Sequence, residues 1–126
     1  RVCFESDFSP KNLKRFISKY DEDLFGINYD IGNSASLGFN PTEEFFEYGA
    51  RIINVHIKDR NFGGSTVPLG EGDADFPLIY GLLKDYNYKG NLILQTARAI
   101  NENHLEVLLN FYNMTKTRAK KSGLNI

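Results

Sequence analysis

Four short runs rich in apolar residues punctuate the chain, one of them alternating apolar and polar positions with a period of two, and each is followed by residues spaced for a helix. Val2–Phe4, Leu24–Asp30, Ile52–Lys58 and Asn91–Thr96 are the strand-like runs. In Ile52–Lys58 the polar residues Asn54, His56 and Lys58 fall on every second position, so one face is apolar and the other carries an amide, an imidazole and an ammonium. Three polar groups on one face of a strand are costly to bury unless they serve one another, a metal or a ligand. Between the strands, Ser9-Pro10 opens a helix over residues 10–20 with Leu13, Phe16, Ile17 and Tyr20 on its core side. Asn40-Pro41-Thr42-Glu43 opens a second, with Phe45, Phe46 and Tyr48 facing inward and Gly49 ending it. Asp75 and Pro77 start a third over Ile79, Leu82 and Leu83, and Asn103 starts a fourth whose apolar stripe is Leu105, Leu108, Leu109 and Tyr112. Residues 31–39, with Gly32, Asn33, Ser34, Ser36 and Gly38, predict a loop, and the glycine-rich residues 61–72 predict a longer one able to cover a site.

Strand followed by helix, four times over, predicts an α/β fold of four consecutive parallel βα units. The long connections follow the strands, which places any site at the strand C-terminal ends. At 126 residues, with 41% apolar and 25% charged side chains, the chain is one domain's worth of ordinary globular sequence. Fifteen basic against sixteen acidic groups leave no electrostatic footprint for nucleic acid or an anionic membrane. A single cysteine, Cys3, rules out an internal disulfide and fits a reducing compartment, the cytoplasm. The opening Arg1-Val-Cys-Phe-Glu enters directly in a strand with no Met or leader, so residues 1–126 read as one domain cut from something longer. Neither a Walker A loop nor a dinucleotide fingerprint is present.

Each strand ends in a polar residue: Glu5, Asp30, His56 and Gln95. On adjacent parallel strands these groups line one rim of the sheet, and two carboxylates, an imidazole and an amide oxygen suit one divalent cation, Mn²⁺, Zn²⁺ or Mg²⁺. Singly, a strand-end acid is a loop cap and a core histidine is merely hydrogen-bonded; the recurrence at one level is what points to a shared ion. Arg60 and Arg98 follow the third and fourth strands and suit a phosphate, or else pair with acids such as Asp59 or Asp73. Asn33 is a ligand contact or an Asx-turn residue. His104 reads as a surface residue, and Lys116, Arg118, Lys120 and Lys121 as partners of a helix dipole.

The order Glu5 … Asp30-Ile-Gly-Asn33 … His56-Ile-Lys58-Asp59-Arg60 … Leu69-Gly-Glu71-Gly-Asp73 … Gln95-Thr-Ala-Arg98 resembles the C-terminal half of a (β/α)8 TIM barrel of the xylose isomerase-like superfamily, in its sugar-phosphate isomerase/epimerase branch. The resemblance implies a (βα)4 half-barrel, barrel strands five to eight. It also implies a cation held by Glu5, Asp30, His56 and the fourth strand-end position, and proton transfer on a ketose or ketose phosphate through an enediolate. It implies catalytic roles for Glu5 and Lys58, and substrate contacts from Asn33, Lys58, Asp59, Arg60, Glu71 and Arg98. The family has a second glutamate where this sequence has Gln95, and an amide cannot act as a general base near neutral pH. Two further readings stay open: a non-catalytic carbohydrate-binding relative, and a metal nuclease of the apurinic-site endonuclease kind, which two histidines and no basic excess disfavour. Half a barrel leaves open sheet edges, so the expected partner besides the sugar is a missing N-terminal half or a second copy.

Overall fold

The structure, a computed structural model, describes residues 1–100 and 102–124. Strands β1 (Val2–Phe4), β2 (Phe25–Asp30), β3 (Ile52–Ile57) and β6 (Asn91–Leu94) form one sheet in the order β1-β2-β3-β6, every pair parallel. Helices α1 (Pro10–Ile17), α3 (Pro41–Tyr48), α4 (Phe76–Asp85) and α5 (His104–Lys121) follow the four strands in turn. A parallel sheet whose strands are each followed by a helix is the expected succession of four βα units. Between β3 and α4 the glycine-rich segment adds a small antiparallel pair, β4 (Asp59–Arg60) and β5 (Thr66–Val67). Among the described residues no helix is long and apolar enough to cross a membrane.

Strand alternation sorts the side chains into two layers. Ile27, Tyr29, Ile52, Val55 and Ile57 are buried in one core with Leu13, Ile17, Phe45, Ile79 and Leu83 of the helices, and Phe4, Phe25, Leu92 and Leu94 pack against it. The intervening positions Cys3, Asn28, Asp30, Asn54, His56 and Ile93 belong to the other face. β1 is only three residues long and lies at a sheet edge, so it depends on packing. Phe4 meets Phe16 edge-on at 5.1 Å, stacks on Phe25 at 5.9 Å and touches Tyr20 at 5.4 Å. This aromatic cluster fixes α1 and β2 against β1, and with them the position of Glu5 at the end of β1. Arg51 closes the far end of α1, donating to the carbonyls of Ile17, Tyr20 and Phe25.

Three local expectations are corrected. Residues 31–39 are not a loop throughout: Ile31–Leu37 form a helix, α2. Gly32, Ser34 and Ser36 weaken its propensity, yet the Asp30 carboxylate accepts the Asn33 backbone N–H at 2.8 Å and Gly38 ends it in the left-handed region at φ 71°. Phe46 faces solvent at 80% exposure rather than the core, its helix being anchored instead through Phe45, Tyr48 and Glu44. On α5 the buried residues are Phe111, Thr115 and Ala119, while Leu105, Leu108, Leu109 and Tyr112 are exposed. The apolar stripe is present, but it faces away from this core.

Glu44 is the chief polar anomaly of the core, 2% exposed. Tyr29 Oη and Ser34 Oγ donate to its Oε2 at 2.7 and 2.5 Å, and Tyr48 Oη donates to its Oε1 at 2.7 Å. These bonds tie α3 to β2 and α2. Burial nevertheless raises the Glu44 pKa above its ordinary 4.5, the three hydroxyls only partly offsetting it. Because the folded state holds this proton more tightly than the unfolded chain, the stabilisation is complete below pH 4.5 and is lost as pH rises through the raised folded value. Glu44→Gln removes that titration. In urea unfolding followed from pH 4.5 upward, the stability of the natural protein relative to the variant should fall steadily as pH rises; a pH-independent difference would contradict the raised pKa.

Candidate metal centre

The C-terminal ends of β1, β2 and β3 bring Glu5, Asp30 and His56 together. His56 Nδ1 lies 3.3 Å from Glu5 Oε2 and 3.5 Å from Asp30 Oδ2, and one ligand atom from each of the three residues lies within 4.8 Å of the others. Donors placed about 2.1 Å from one ion at angles of 90–110° stand roughly 3.0–3.5 Å apart, so the two measured separations fit a shared divalent cation. Two carboxylate oxygens and an imidazole suit Mn²⁺, Zn²⁺ or Mg²⁺.

The fold fixes each member differently. The Asp30 side chain is 1% exposed and divided between two tasks: Oδ1 caps α2, while Oδ2 faces His56 and accepts from Lys58 Nζ at 3.4 Å. Register pairs Asp30 with His56 across β2 and β3. Glu5, more exposed, is held at both oxygens by amides: Asn33 Nδ2 donates to Oε1 at 3.0 Å and Asn28 Nδ2 to Oε2 at 2.5 Å. Asn33 also accepts at Oδ1 from Lys58 Nζ at 3.2 Å and Arg60 Nη1 at 2.9 Å. It therefore joins one carboxylate and two cations from three segments of chain. Its backbone N–H donates to Asp30 Oδ1, so the Asx-type cap is made by Asp30, while the Asn33 side chain faces the cluster and does not turn back on its own backbone.

The remaining candidate residues separate. Arg60 points at the glycine loop as well as at Asn33: its Nε and Nη2 donate to the Gly64 carbonyl at 3.1 and 2.6 Å. Asp59, expected above as a substrate contact, is fully buried at 0% exposure. Its Oδ2 accepts the backbone N–H groups of Gly70 and Gly72 at 2.7 and 3.1 Å, and its Oδ1 that of Ala74 at 3.2 Å. Both oxygens hold the loop back on itself, so in this structure Asp59 is placed as a buried loop anchor and is not brought to the Glu5–Asp30–His56 cluster. A Cβ at Gly72 would overlap Asp59 Oδ1 and the Arg60 carbonyl, which is why the chain passes there as glycine. Glu71 is exposed on this loop with no side-chain partner among the described residues. Gln95 follows β6, its backbone N–H bonded to the Ile57 carbonyl at 3.0 Å; its side chain is exposed and makes no hydrogen bond to Glu5, Asp30 or His56. Arg98 is exposed too, in a hollow with Thr96, His104 and Leu108 rather than beside Arg60.

Asn28 and Ser34 are absent from the residues the sequence singled out. Asn28 had a legible signal: it stands two positions before Asp30, as Asn54 stands two before His56. Ser34 had none, because its partner Glu44 lies on another helix.

Comparison with known proteins bears on the fold and the family. Residues 2–117 match the family described as xylose isomerase-like TIM barrel. An inosose dehydratase of Clostridium botulinum (strain Eklund 17B / Type B) is 31% identical over 107 residues, covering 70% of this chain and 36% of that protein. An L-ribulose-5-phosphate 3-epimerase of Salmonella paratyphi A is 29% identical over 101 residues, covering 79% and 36%. Among solved structures, a xylose isomerase domain protein from Planctomyces limnophilus superposes with a TM-score of 0.81 at 23% identity, over 97% of this chain and 48% of its own. The chain thus spans little more than a third of the length of these curated relatives.

The loop anchor is testable. Replacing Asp59 by Ala strands three backbone N–H groups, and the variant should lose about 2–4 kcal/mol in urea unfolding. Loss below about 0.5 kcal/mol would mean that the loop does not depend on this carboxylate.

Proposed function

The chain belongs to the xylose isomerase-like TIM barrel family, and from that premise we propose that it carries the metal-binding half of a sugar or sugar-phosphate isomerase or epimerase. The observation that carries the reading is the convergence of Glu5, Asp30 and His56 at spacings that suit one divalent ion. A cation there would act as a Lewis acid towards neighbouring carbonyl and hydroxyl oxygens of a sugar, acidifying the C–H between them. Inverting a carbon beside a ketone and eliminating water next to one both begin with loss of that proton. The two relatives' names, an epimerase and a dehydratase, are consistent with this common first step.

Glu5 is the group that takes the proton. Its Oε1 is held only by the Asn33 amide, a neutral donor, so this oxygen keeps a lone pair free to face a substrate C–H. Lys58, between Asp30 and Asn33, places an ammonium beside the cluster, where it stabilises negative charge developing on the substrate oxygens and can return a proton. Gln95 stands where a second base would be needed for transfer on the opposite face of the sugar. Proton removal and return by Glu5 on one face, which is isomerisation, therefore fits the residues better than two-base epimerisation.

The charge of the site favours a phosphorylated substrate. Glu5 and Asp30 are matched by Lys58 and Arg60, so a bound divalent cation leaves the site positive. Arg60 has no carboxylate within ion-pair distance among the described residues. An anionic group near Arg60 would answer that excess. Glu71 on the glycine loop, and Arg98 beyond β6, are assigned to the rim of the same sugar site. We place the reaction in the cytoplasm. The exposed edges of β1 and β6, with Val2, Leu24 and Ile93, are assigned to further βα units, from a longer chain or from a second copy.

The exposed Gln95 amide favours one competing reading, a carbohydrate-binding relative without chemistry. Incubating the protein with Mn²⁺ and paired ketoses and ketose phosphates in D₂O separates the two. Deuterium should enter at the carbon next to the carbonyl, faster for the phosphorylated member, and Glu5→Gln should slow exchange by about 10²–10⁴-fold. Saturable sugar binding with no exchange would establish the binding reading instead, and equal rates for both members of each pair would remove the phosphate from the proposal.

A further inference from the structure

Two carboxylates and an imidazole that turn their lone pairs towards one point repel one another unless something positive stands among them. Lys58 supplies part of that, at Asp30. The rest comes from a neutral side chain. Asn28 Nδ2 lies 2.5 Å from Glu5 Oε2 and 3.1 Å from His56 Nδ1, and Asn28 is itself only 6% exposed.

The orientation of this amide follows from its neighbours. An ionised carboxylate only accepts hydrogen bonds, so the group facing Glu5 is the NH₂ and not the carbonyl. Asn28 Oδ1 then faces away and accepts from Asn54 Nδ2 at 2.6 Å. Turning the amide over would set two oxygens together at Glu5 and two nitrogens together at Asn54. With one N–H on Glu5, the other faces His56 Nδ1 at 3.1 Å, a contact that is a hydrogen bond when Nδ1 is the acceptor and the ring proton sits on Nε2. That is the tautomer in which Nδ1 is free to ligate a metal.

Register explains how the amide arrives there. Across β2 and β3, Asn28 pairs with Asn54 and Asp30 with His56. Asn28-Tyr29-Asp30 and Asn54-Val55-His56 thus repeat one pattern, an amide two residues before a ligand, and set a row of amides one level below the row of ligands. We propose that Asn28, oriented by Asn54, is a positioning residue of the metal centre. Its NH₂ holds Glu5 Oε2 and His56 Nδ1 converged before a cation arrives, and releases His56 Nδ1 when one binds. An imidazole nitrogen has a single lone pair and cannot serve both; a carboxylate oxygen has two, so Glu5 Oε2 keeps Asn28 throughout. The proposal rests on the metal-centre reading above. The plainer alternative is that Asn28 and Asn54 only satisfy one another within the sheet.

Asn28→Leu removes both donors at similar volume, and Asn54→Leu leaves Asn28 in place but without its orienting partner. Two readouts are taken on the whole chain: Co²⁺ affinity by calorimetry, and the tautomer of the His56 ring by ¹⁵N NMR on the metal-free protein. Asn28→Leu should weaken Co²⁺ binding about 10–100-fold and turn a single Nε2–H tautomer into a mixture. Asn54→Leu should move both readouts in the same direction by less, and it carries the test if Asn28→Leu does not fold. Co²⁺ binding by the natural protein with unchanged affinity and tautomer in the folded variants would overturn the role of Asn28 alone. No Co²⁺ binding by the natural protein would overturn the metal centre and this role with it.

Discussion

The Asp30 carboxylate does two things that the rest of the structure depends on, one with each oxygen. Oδ1 accepts the Asn33 backbone N–H and starts α2; Oδ2 lies 3.5 Å from His56 Nδ1 and 3.4 Å from Lys58 Nζ. A carboxylate pinned at one oxygen by a helix N-terminus has little rotational freedom left, so the other oxygen is aimed before any ligand is present. The same bond places Asn33 beside Glu5 and Arg60. Fold and site are therefore not separable at this residue: the turn from β2 into α2 is what assembles the cluster. β1 and β3 only have to deliver Glu5 and His56 to the same level, which the aromatic packing of Phe4 and the register of β2 with β3 accomplish.

Asp59 makes a contrast of the same chemistry in another place. Like Asp30 it is an acid at the C-terminal side of a strand, fully buried and hydrogen-bonded to backbone N–H groups. All three of its partners lie eleven to fifteen residues downstream in the glycine loop, and neither oxygen remains for a ligand. The difference lies in what comes back to meet each carboxylate, so of two neighbouring strand-end acids one faces the His56 cluster and the other anchors a loop.

That contrast marks how far the sequence could be read. The short apolar runs, with the period-two pattern of Ile52–Lys58 among them, identified the strands and their order of connection, because such runs between helix-spaced segments are a local property of the chain. It also placed Glu5, Asp30 and His56 at one level, since parallel strands in succession put their C-terminal ends side by side. What it could not separate were partners brought together by tertiary return: Asp59 with residues 70–74, or Glu44 with Tyr29 and Ser34. α2 was hidden for a different reason. Gly32, Ser34 and Ser36 argue against a helix, and only the Asp30 cap and the Gly38 stop at its two ends argue for one. For α5 the stripe was legible and its direction was not, because Leu105, Leu108 and Leu109 face away from the only layer these residues build.

Amides, rather than ion pairs, make this density of charge tolerable. Asn33 accepts from Lys58 and Arg60 on its oxygen and donates to Glu5 from its nitrogen, so two cations and an anion are connected without a direct contact that would neutralise them. An aspartate at this position would pair with the two cations but repel Glu5, and a lysine would do the reverse. Asn28 works the same way between Glu5, His56 and Asn54. Because an amide adds no net charge, each ionised group keeps its field, and the groups are held in place by bonds far more directional than a Coulomb attraction. A cluster that keeps carboxylates and cations close together without pairing them all gains from such connectors. Lys58 already pairs with Asp30; had Glu5 also paired directly with Lys58 or Arg60, less uncompensated charge would remain in the cluster. The same property sets the limit at Gln95: an amide can connect, orient and coordinate, but it cannot carry away a proton.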